Sequence, residues 1–236
     1  MEQPKSKSYR KTAVISGGSG YVGGAIARQL SAGGFKIALL YFGSAESDVE
    51  KNIDSLNGQG HKAYRCDITD EEEVNNITEK IAKDFGGIDI CVHAAASKLN
   101  RVFLNDLSSG EFRRQFEVGV FGGFNFISAC ARLMEKNKGI IVGITSAAIE
   151  QNSSPGKMGA YLPAKHALHG LLCVMRDELN RRGIKVYEIA PGFLPGGLNK
   201  DLPAEISEFL SKKNNPKYPS SAEKVAEAVA LLCSEN

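Results

Sequence analysis

The chain of 236 residues carries almost no excess charge: 29 Lys and Arg face 27 Asp and Glu, a formal net charge of +2. A protein that neutralises phosphates or a lipid surface needs a basic patch, so this balance argues against nucleic acid and against a polybasic membrane face. No stretch approaches the roughly 18 consecutive apolar residues of a transmembrane helix. The five cysteines, Cys66, Cys91, Cys130, Cys173 and Cys233, form no CxxC pair and no other spacing that would gather them around a metal. Most lie in apolar segments, as reduced, buried thiols of a cytoplasmic protein do. Repeats, low-complexity tracts and long linkers are missing too, so one domain is expected. The polar, lysine-bearing start has no apolar run behind it and reads as a loose leader over residues 1–10, not a signal peptide.

With 42% hydrophobic and 24% charged residues, the chain can bury an ordinary globular core. Apolar runs of strand length occupy Thr12–Ser16, Lys36–Tyr41, His61–Arg65, Ile88–His93, Gly139–Ile144 and Lys185–Ile189. They are short, rich in Val and Ile, and mostly apolar throughout, as strands buried on both faces are. Helical patterns alternate with them over Val22–Ala32, Ser47–Asn57, Glu71–Phe85, Ser108–Lys136 and Tyr161–Arg181. A final amphipathic pattern, Ser221–Glu235, starts at a serine suited to cap it and carries the stripe Ala222, Val225, Ala226, Val229 and Leu232. Alternation of this kind predicts an α/β protein: a Rossmann-type, doubly wound parallel sheet with helices on both faces. The Pro/Gly/Asn-rich piece Pro191–Asn199 and the polar stretch Lys212–Ser221 suggest a long loop with a helical insertion, a substrate lid over about residues 193–220.

Behind the first strand runs Ser16-Gly17-Gly18-Ser19-Gly20-Tyr21-Val22-Gly23-Gly24, opening directly into a helix. Glycines there permit a tight turn and close approach of backbone to a pyrophosphate, and the helix N-terminus offers unpaired amides and a favourable dipole. A glycine cluster alone is a weak signal, but strand before and helix after are its confirming context. A dinucleotide fold that prefers NAD places a carboxylate at the end of its second strand. Here that place holds Leu40 or Tyr41, then Phe42-Gly43-Ser44. No acid would repel a 2′-phosphate and Ser44 could donate to one, so NADP(H) is favoured over NAD(H), although no arginine marks the spot.

Tyr161-Leu162-Pro163-Ala164-Lys165 sets a tyrosine and a lysine at i and i+4 on one helix face. Pro163 is tolerable only in a first helical turn, which puts the pair at a helix start. A phenol titrates near 10, too high for easy proton exchange at neutral pH, and a nearby ammonium favours its ionised form. Such a phenol can protonate a carbonyl oxygen while hydride reaches the carbon. Taken alone, the pattern often means only a solvated helix face. Upstream, however, the strand Gly139–Ile144 ends in Thr145-Ser146, at the carboxyl edge where ligands bind in such folds. A serine there can orient a substrate carbonyl, or simply cap a turn.

Together these residues resemble the short-chain dehydrogenase/reductase family over nearly the whole chain, and most nearly its β-ketoacyl (3-oxoacyl) thioester reductases. The resemblance implies that Ser146, Tyr161 and Lys165 are catalytic, Lys165 also holding the nicotinamide ribose. It implies cofactor contacts from Gly17, Ser19, Gly20, Tyr21, Val22, Gly23, Tyr41 and Ser44, and from Asp67 and Ile68 near the adenine. Asp67 reads almost as well as a helix N-cap. Asp89-Ile90-Cys91-Val92-His93-Ala94-Ala95-Ala96 is similar to the family's Asp-x-Leu-Val-Asn-Asn-Ala-Gly stretch, which stabilises the central sheet and places His93, Ala94 and Ala95 along the cofactor. Pro191, Gly192, Phe193 and Leu194 correspond to the segment that meets the nicotinamide. A small-molecule carbonyl substrate, an acyl thioester among the candidates, a homodimer or homotetramer, and no metal are the further implications.

The pattern fails at four places. The short-form Thr-Gly-x-x-x-Gly-x-Gly has Tyr21 where its middle glycine would be, and the spacing Gly17, Gly20, Gly23 resembles the sugar-nucleotide-modifying branch instead. The family's Asn in the long helix, which supports a water chain to the lysine, falls at Gly119; His93 could reroute that relay or be structural. The Ala94–Ala96 run alters the cofactor wall. The chain stops at Asn236 without the usual last strand, predicting six strands. Two rivals to an NADP(H)-dependent oxidoreductase follow: a nucleotide-sugar or polyketide-modifying enzyme, and a weakly active or inactive NADP(H)-binding sensor or scaffold.

Overall fold

All six predicted strands form, and they pair in parallel. The computed structural model describes residues 11–134, 139–150 and 156–234; the expected leader over residues 1–10 lies outside them, as do the last predicted helical residues near 135–136 and at 235. Strands β1 (Thr12–Ser16), β2 (Lys36–Tyr41), β3 (Lys62–Arg65), β4 (Ile90–His93), β5 (Ile140–Ile144) and β6 (Lys185–Ile189) make one sheet in the order β3-β2-β1-β4-β5-β6. The order reverses between β1 and β4, so the crossovers on either side leave a crevice beyond their carboxyl ends. Asp89 fixes this junction: its carboxylate accepts the Thr12 amide at 2.7 Å, while its own backbone N–H donates to Thr12 and its carbonyl accepts from Ile140.

Alternation along the strands sends side chains to two helical layers. Val14, Leu40, Cys91 and Ile141 face helices α3 (Glu71–Phe85), α5 (Gly122–Met134) and α6 (Tyr161–Asn180) after α1 (Tyr21–Ala32), α2 (Glu46–Asp54) and α4 (Ser109–Phe116) have been laid down. Ile15, Leu39, Val92 and Val142 face α1 and the terminal α8 (Ala222–Ser234), which follows α7 (Ala204–Lys212). Local sequence explains the helix ends. Asp70 caps α3 through the Glu73 amide, Gly86 closes it at φ 86°, Ser108 and Glu111 form a capping box on α4, and Ser221 accepts the Lys224 amide ahead of α8. Four of the five cysteines are buried and all five are free; burial pushes the Cys66 and Cys233 thiols up to about 12, which makes them inert apolar filling.

The sequence pattern predicts one long helix over Ser108–Lys136, and the structure divides it. A π-helical turn over Glu117–Phe121 separates α4 from α5. Extra residues in a turn are accommodated where side chains are absent, and Gly119, Gly122 and Gly123 cluster there. Phe126, wholly buried on α5, then anchors that helix to the sheet. Phe126→Ala should lower unfolding free energy by about 3–5 kcal/mol with the fold retained, measured as a shift in the urea midpoint without a change in slope.

Candidate functional site

A cleft of about 1640 Å³ runs along the carboxyl edge of the sheet, above the ordinary range of about 300–1,000 Å³ for a drug-sized ligand. Every site residue expected from the sequence lines it except His93. At one end lies the glycine turn. Gly17 sits at φ 66°, and a Cβ at Gly23 would stand 2.2 Å from the Gly17 carbonyl oxygen, so the helix can start this close to the loop only without a side chain. Helix α1 is capped at Gly20, which has no side chain to cap it, and carries no acid in its first turn. Its opening amides and positive dipole end are thus left for an anion, which fits the pyrophosphate of a dinucleotide.

Beyond β2, Ser44 Oγ lies 2.8 Å from Ser19 Oγ, tying the second-strand loop to the glycine turn. Tyr41, Phe42 and Ser44 all face the cleft. The parallel register sets Arg65 beside Tyr41, and the Arg65 guanidinium rests 5.1 Å from the centre of the Phe42 ring. No sequence motif marks Arg65, because it belongs to a different strand. Asp67 lines the cleft and is not a helix cap: Asp70 holds that position, and Asp67 Oδ1 accepts from the backbone and hydroxyl of Thr69.

At the other end stand Ser146, Tyr161 and Lys165. Ser146 follows β5, and Tyr161 and Lys165 occupy the first turns of α6 as Pro163 required. The Ser146 hydroxyl is near enough to the Tyr161 phenol to favour its ionised form, and its Oγ accepts the Ala148 amide at 3.3 Å. Lys165 Nζ donates to the Ile144 carbonyl at 2.7 Å and lies 5.8 Å from the centre of the Tyr161 ring. Burial pushes the Lys165 ammonium down to about 8, against the pull of the Glu188 carboxylate. Glu188, on β6, is itself held by the Thr145 hydroxyl and by His169 Nδ1 at 2.7 Å; an acid inside an otherwise apolar strand was the signal for it. The expected lowering of the Tyr161 phenol is not what the arrangement produces. Burial raises it above its ordinary value, and the Ser146 hydroxyl and the Arg101 charge only oppose this in part. The phenol is therefore protonated at neutral pH.

His93 is fully buried behind the cleft wall. Its Nδ1 is 2.9 Å from Ser16 Oγ, and its Nε2 faces the Gly119 carbonyl at 3.4 Å. Burial and the nearby Lys165 push it down to about 3, so the ring is neutral and joins β1, β4 and the π turn. Gly119 is buried, yet a Cβ built on it would meet nothing within 4 Å.

The loop after β6 borders the Ser/Tyr/Lys end of the cleft. Pro191, Gly192, Phe193 and Leu194 line the cleft. Asn214 clasps the Phe193 backbone twice, accepting from its N–H at 2.7 Å and donating to its carbonyl at 2.9 Å, and Gly192 N–H donates to Pro219. Tyr21 bridges to this loop: a Cβ at Gly196 would stand 2.7 Å from its ring, and one at Gly197 3.0 Å from its Cβ. Arg101, also in the cleft, donates through Nη2 to Asn199 Oδ1. Nothing in the sequence singles out Arg101, Asn199 or Asn214, since loop positions carry no period.

A doubly wound sheet with an anion cradle at its switch point and a Ser/Tyr/Lys set across the same cleft defines a dinucleotide-dependent oxidoreductase architecture. The model described as Enoyl-(Acyl carrier protein) reductase matches residues 19–236. The 7alpha-hydroxysteroid dehydrogenase of Escherichia coli (strain K12) is 31% identical over 227 residues, covering 95% of this chain and 87% of the relative. The 3-oxoacyl-[acyl-carrier-protein] reductase FabG of Staphylococcus aureus (strain N315) is 26% identical over 229 residues, covering 95% and 91%. Among solved structures, a short chain dehydrogenase from Burkholderia cenocepacia J2315 in complex with NADP superposes with a TM-score of 0.83 at 28% identity, covering 95% and 91%. An NAD+-bound xylitol dehydrogenase does so at 0.84 and 25%, covering 97% and 94%. The chain belongs to the short-chain dehydrogenase/reductase family, oxidoreductases that use a nicotinamide cofactor. No helix among the described residues is long and apolar enough to cross a membrane.

The buried imidazole gives a signature of its own. Free histidine titrates near 6.5 and folded His93 near 3, so between these values only the unfolded chain takes up the proton. Its contribution to stability is complete above about pH 6.5 and is lost as the pH falls toward 3. Urea unfolding of His93→Asn should therefore lose stability less steeply below pH 6 than wild type, by up to about 1.4 kcal/mol per pH unit.

Proposed function

We propose that the protein is an NADP(H)-dependent reductase of carbonyl compounds, reversibly a dehydrogenase of the corresponding alcohols, working as a soluble cytoplasmic homodimer or homotetramer. The observation that carries this reading is the gathering of Ser146, Tyr161 and buried Lys165 in one cleft shared with the glycine cradle. A bound nicotinamide would supply or accept hydride. Ser146 orients the carbonyl oxygen. Tyr161, protonated because it is buried, delivers its proton to that oxygen. Lys165 would hold the nicotinamide ribose, and it brings the positive charge that favours the phenolate once the proton has left. Gly17, Gly20 and the start of α1 would receive the pyrophosphate, Asp67 and Ile68 would hold the adenine, and Pro191–Leu194 would hold the nicotinamide.

For NADP(H), support comes from the acid-free end of β2, from Ser44, and from the Arg65 guanidinium stacked on Phe42. The segment over about 193–220 acts as the lid, and its apolar side chains suit an acyl or other hydrophobic substrate, a 3-oxoacyl thioester first among them. Phe112, Phe121, Phe124 and Val174 remain exposed on α4, the π turn, α5 and α6, which supports association of copies through that face. Free, buried thiols support a reducing compartment.

The test is NADPH oxidation, followed by absorbance, with a 3-oxoacyl thioester and Tyr161→Phe beside wild type. Turnover should fall by about 10²-fold or more while NADPH binding is kept. A wild type that binds NADPH but reduces neither the thioester nor simple ketones would put the sensor or scaffold reading first. Gly119 favours that second reading, and the open space beside it makes a companion test. Gly119→Asn should fold normally and raise kcat with KM unchanged; no gain in kcat would mean that proton delivery does not depend on this position.

A further inference from the structure

The substrate end of the cleft holds a cation that the chemistry above does not use. Arg101 is half-buried in the irregular chain after β4, lines the same wall as Tyr161, and is close enough for its charge to act on the Tyr161 phenol. Its protein partner is an uncharged amide, Asn199 Oδ1. That amide cannot turn away, because Asn199 Nδ2 donates to the Leu194 carbonyl at 2.7 Å and leaves the oxygen facing the guanidinium. Among the described residues no carboxylate pairs with Arg101. Glu150, an acid in the same cleft, is engaged by Lys217 and Tyr218.

A guanidinium taken partly out of water and aimed by a neutral residue lacks its counter-charge, and burial accordingly makes it easier to deprotonate. Five N–H groups in a planar fork match the two oxygens of a carboxylate, and Asn199 engages only one of the nitrogens. The surrounding mouth is apolar and cationic. Phe103 and Phe209 are more than half exposed, Lys157 Nζ lies 5.0 Å from the Phe103 ring centre, and Lys213 Nζ lies 4.4 Å from that of Phe209.

We propose that the substrate is an apolar carbonyl or alcohol compound bearing a carboxylate, and that Arg101, aimed by Asn199, is the residue that binds this carboxylate. The assignment rests on the reading of the cleft as a reductase site and specifies which carbonyl compounds it takes. The lid thereby gains a second role. Asn199 sits in its 3₁₀ turn over Gly197–Asn199, so seating that turn is what orients the anion-binding fork.

A matched pair of ketones tests it: 4-acetylbenzoate and its methyl ester, titrated calorimetrically into the NADP+-saturated protein. The acid should bind at least about tenfold more tightly than the ester, the scale of one charge-assisted pair. Arg101→Gln should abolish the difference and Arg101→Lys should keep part of it, with NADP+ affinity the same in all three proteins. Arg101→Lys keeps the charge and decides the matter if Arg101→Gln does not fold. Equal affinity for acid and ester in wild type, no measurable binding of either, a preference that survives in Arg101→Gln, or loss of NADP+ affinity with Arg101 would each overturn the assignment. NADPH oxidation with the same pair separates this from the reductase reading. Selective binding of the acid without reduction of any ketone removes the reductase and keeps the anion site; equal kcat/KM for acid and ester does the reverse.

Discussion

The contact between β1 and β4 is the constraint on which the rest depends. These neighbours in space are separated in sequence by two complete strand–helix units, and their pairing is what makes the sheet reverse its order. Asp89 secures it at the amino end by accepting the Thr12 amide, a bond that only partly opposes the rise that burial imposes on its carboxyl. Ser16 and His93 secure it at the carboxyl end. Between those clamps the strands are wholly apolar and covered on both sides. The crevice beyond them follows from topology: the loop after β1 turns to one face and the chain after β4 to the other, leaving the cradle and the Ser/Tyr/Lys set on opposite walls of one cleft.

Desolvation governs the chemistry of that cleft. It outweighs neighbouring charge at Tyr161 and at Lys165, raising the phenol and lowering the ammonium, and at His93 it acts together with the Lys165 charge to lower the imidazole. The consequences differ with position. Tyr161 keeps its proton at neutral pH, Lys165 remains cationic there by a small margin, and His93 becomes a neutral bridge whose two nitrogens are committed to Ser16 and Gly119. A neutral, doubly engaged imidazole is suited to holding the π turn against the sheet and poorly suited to carrying protons.

How much of this is legible in the sequence varies with how local the cause is. The strands can be read because burial on both faces leaves continuous apolar runs, and β1, β2 and β6 have the predicted bounds. The cleft lining can be read because strand ends and glycine turns occupy fixed offsets from those runs. The break in the helix after Ser108 escapes such a reading because a π turn preserves apolar periodicity on both sides and only shifts its phase. Arg65, Arg101, Asn199 and Asn214 escape it because each acts through a partner on another strand or loop. The direction of the Tyr161 shift depends on how far the ring is buried, which spacing from Lys165 does not reveal.

The contact of Tyr21 with Gly196 and Gly197 has a consequence for how this sequence can change. A side chain at 196 would stand 2.7 Å from the ring, and one at 197 would also have to adopt a φ of +62°. The three positions therefore cannot drift independently, although about 175 residues separate the first from the others. A substituent at 196 is admissible only once the ring at 21 has swung out to solvent or been lost, and an aromatic at 21 can pack on this loop only while 196 is bare. Descent through this part of sequence space has a direction, set by which of the two rims of the cleft is filled first.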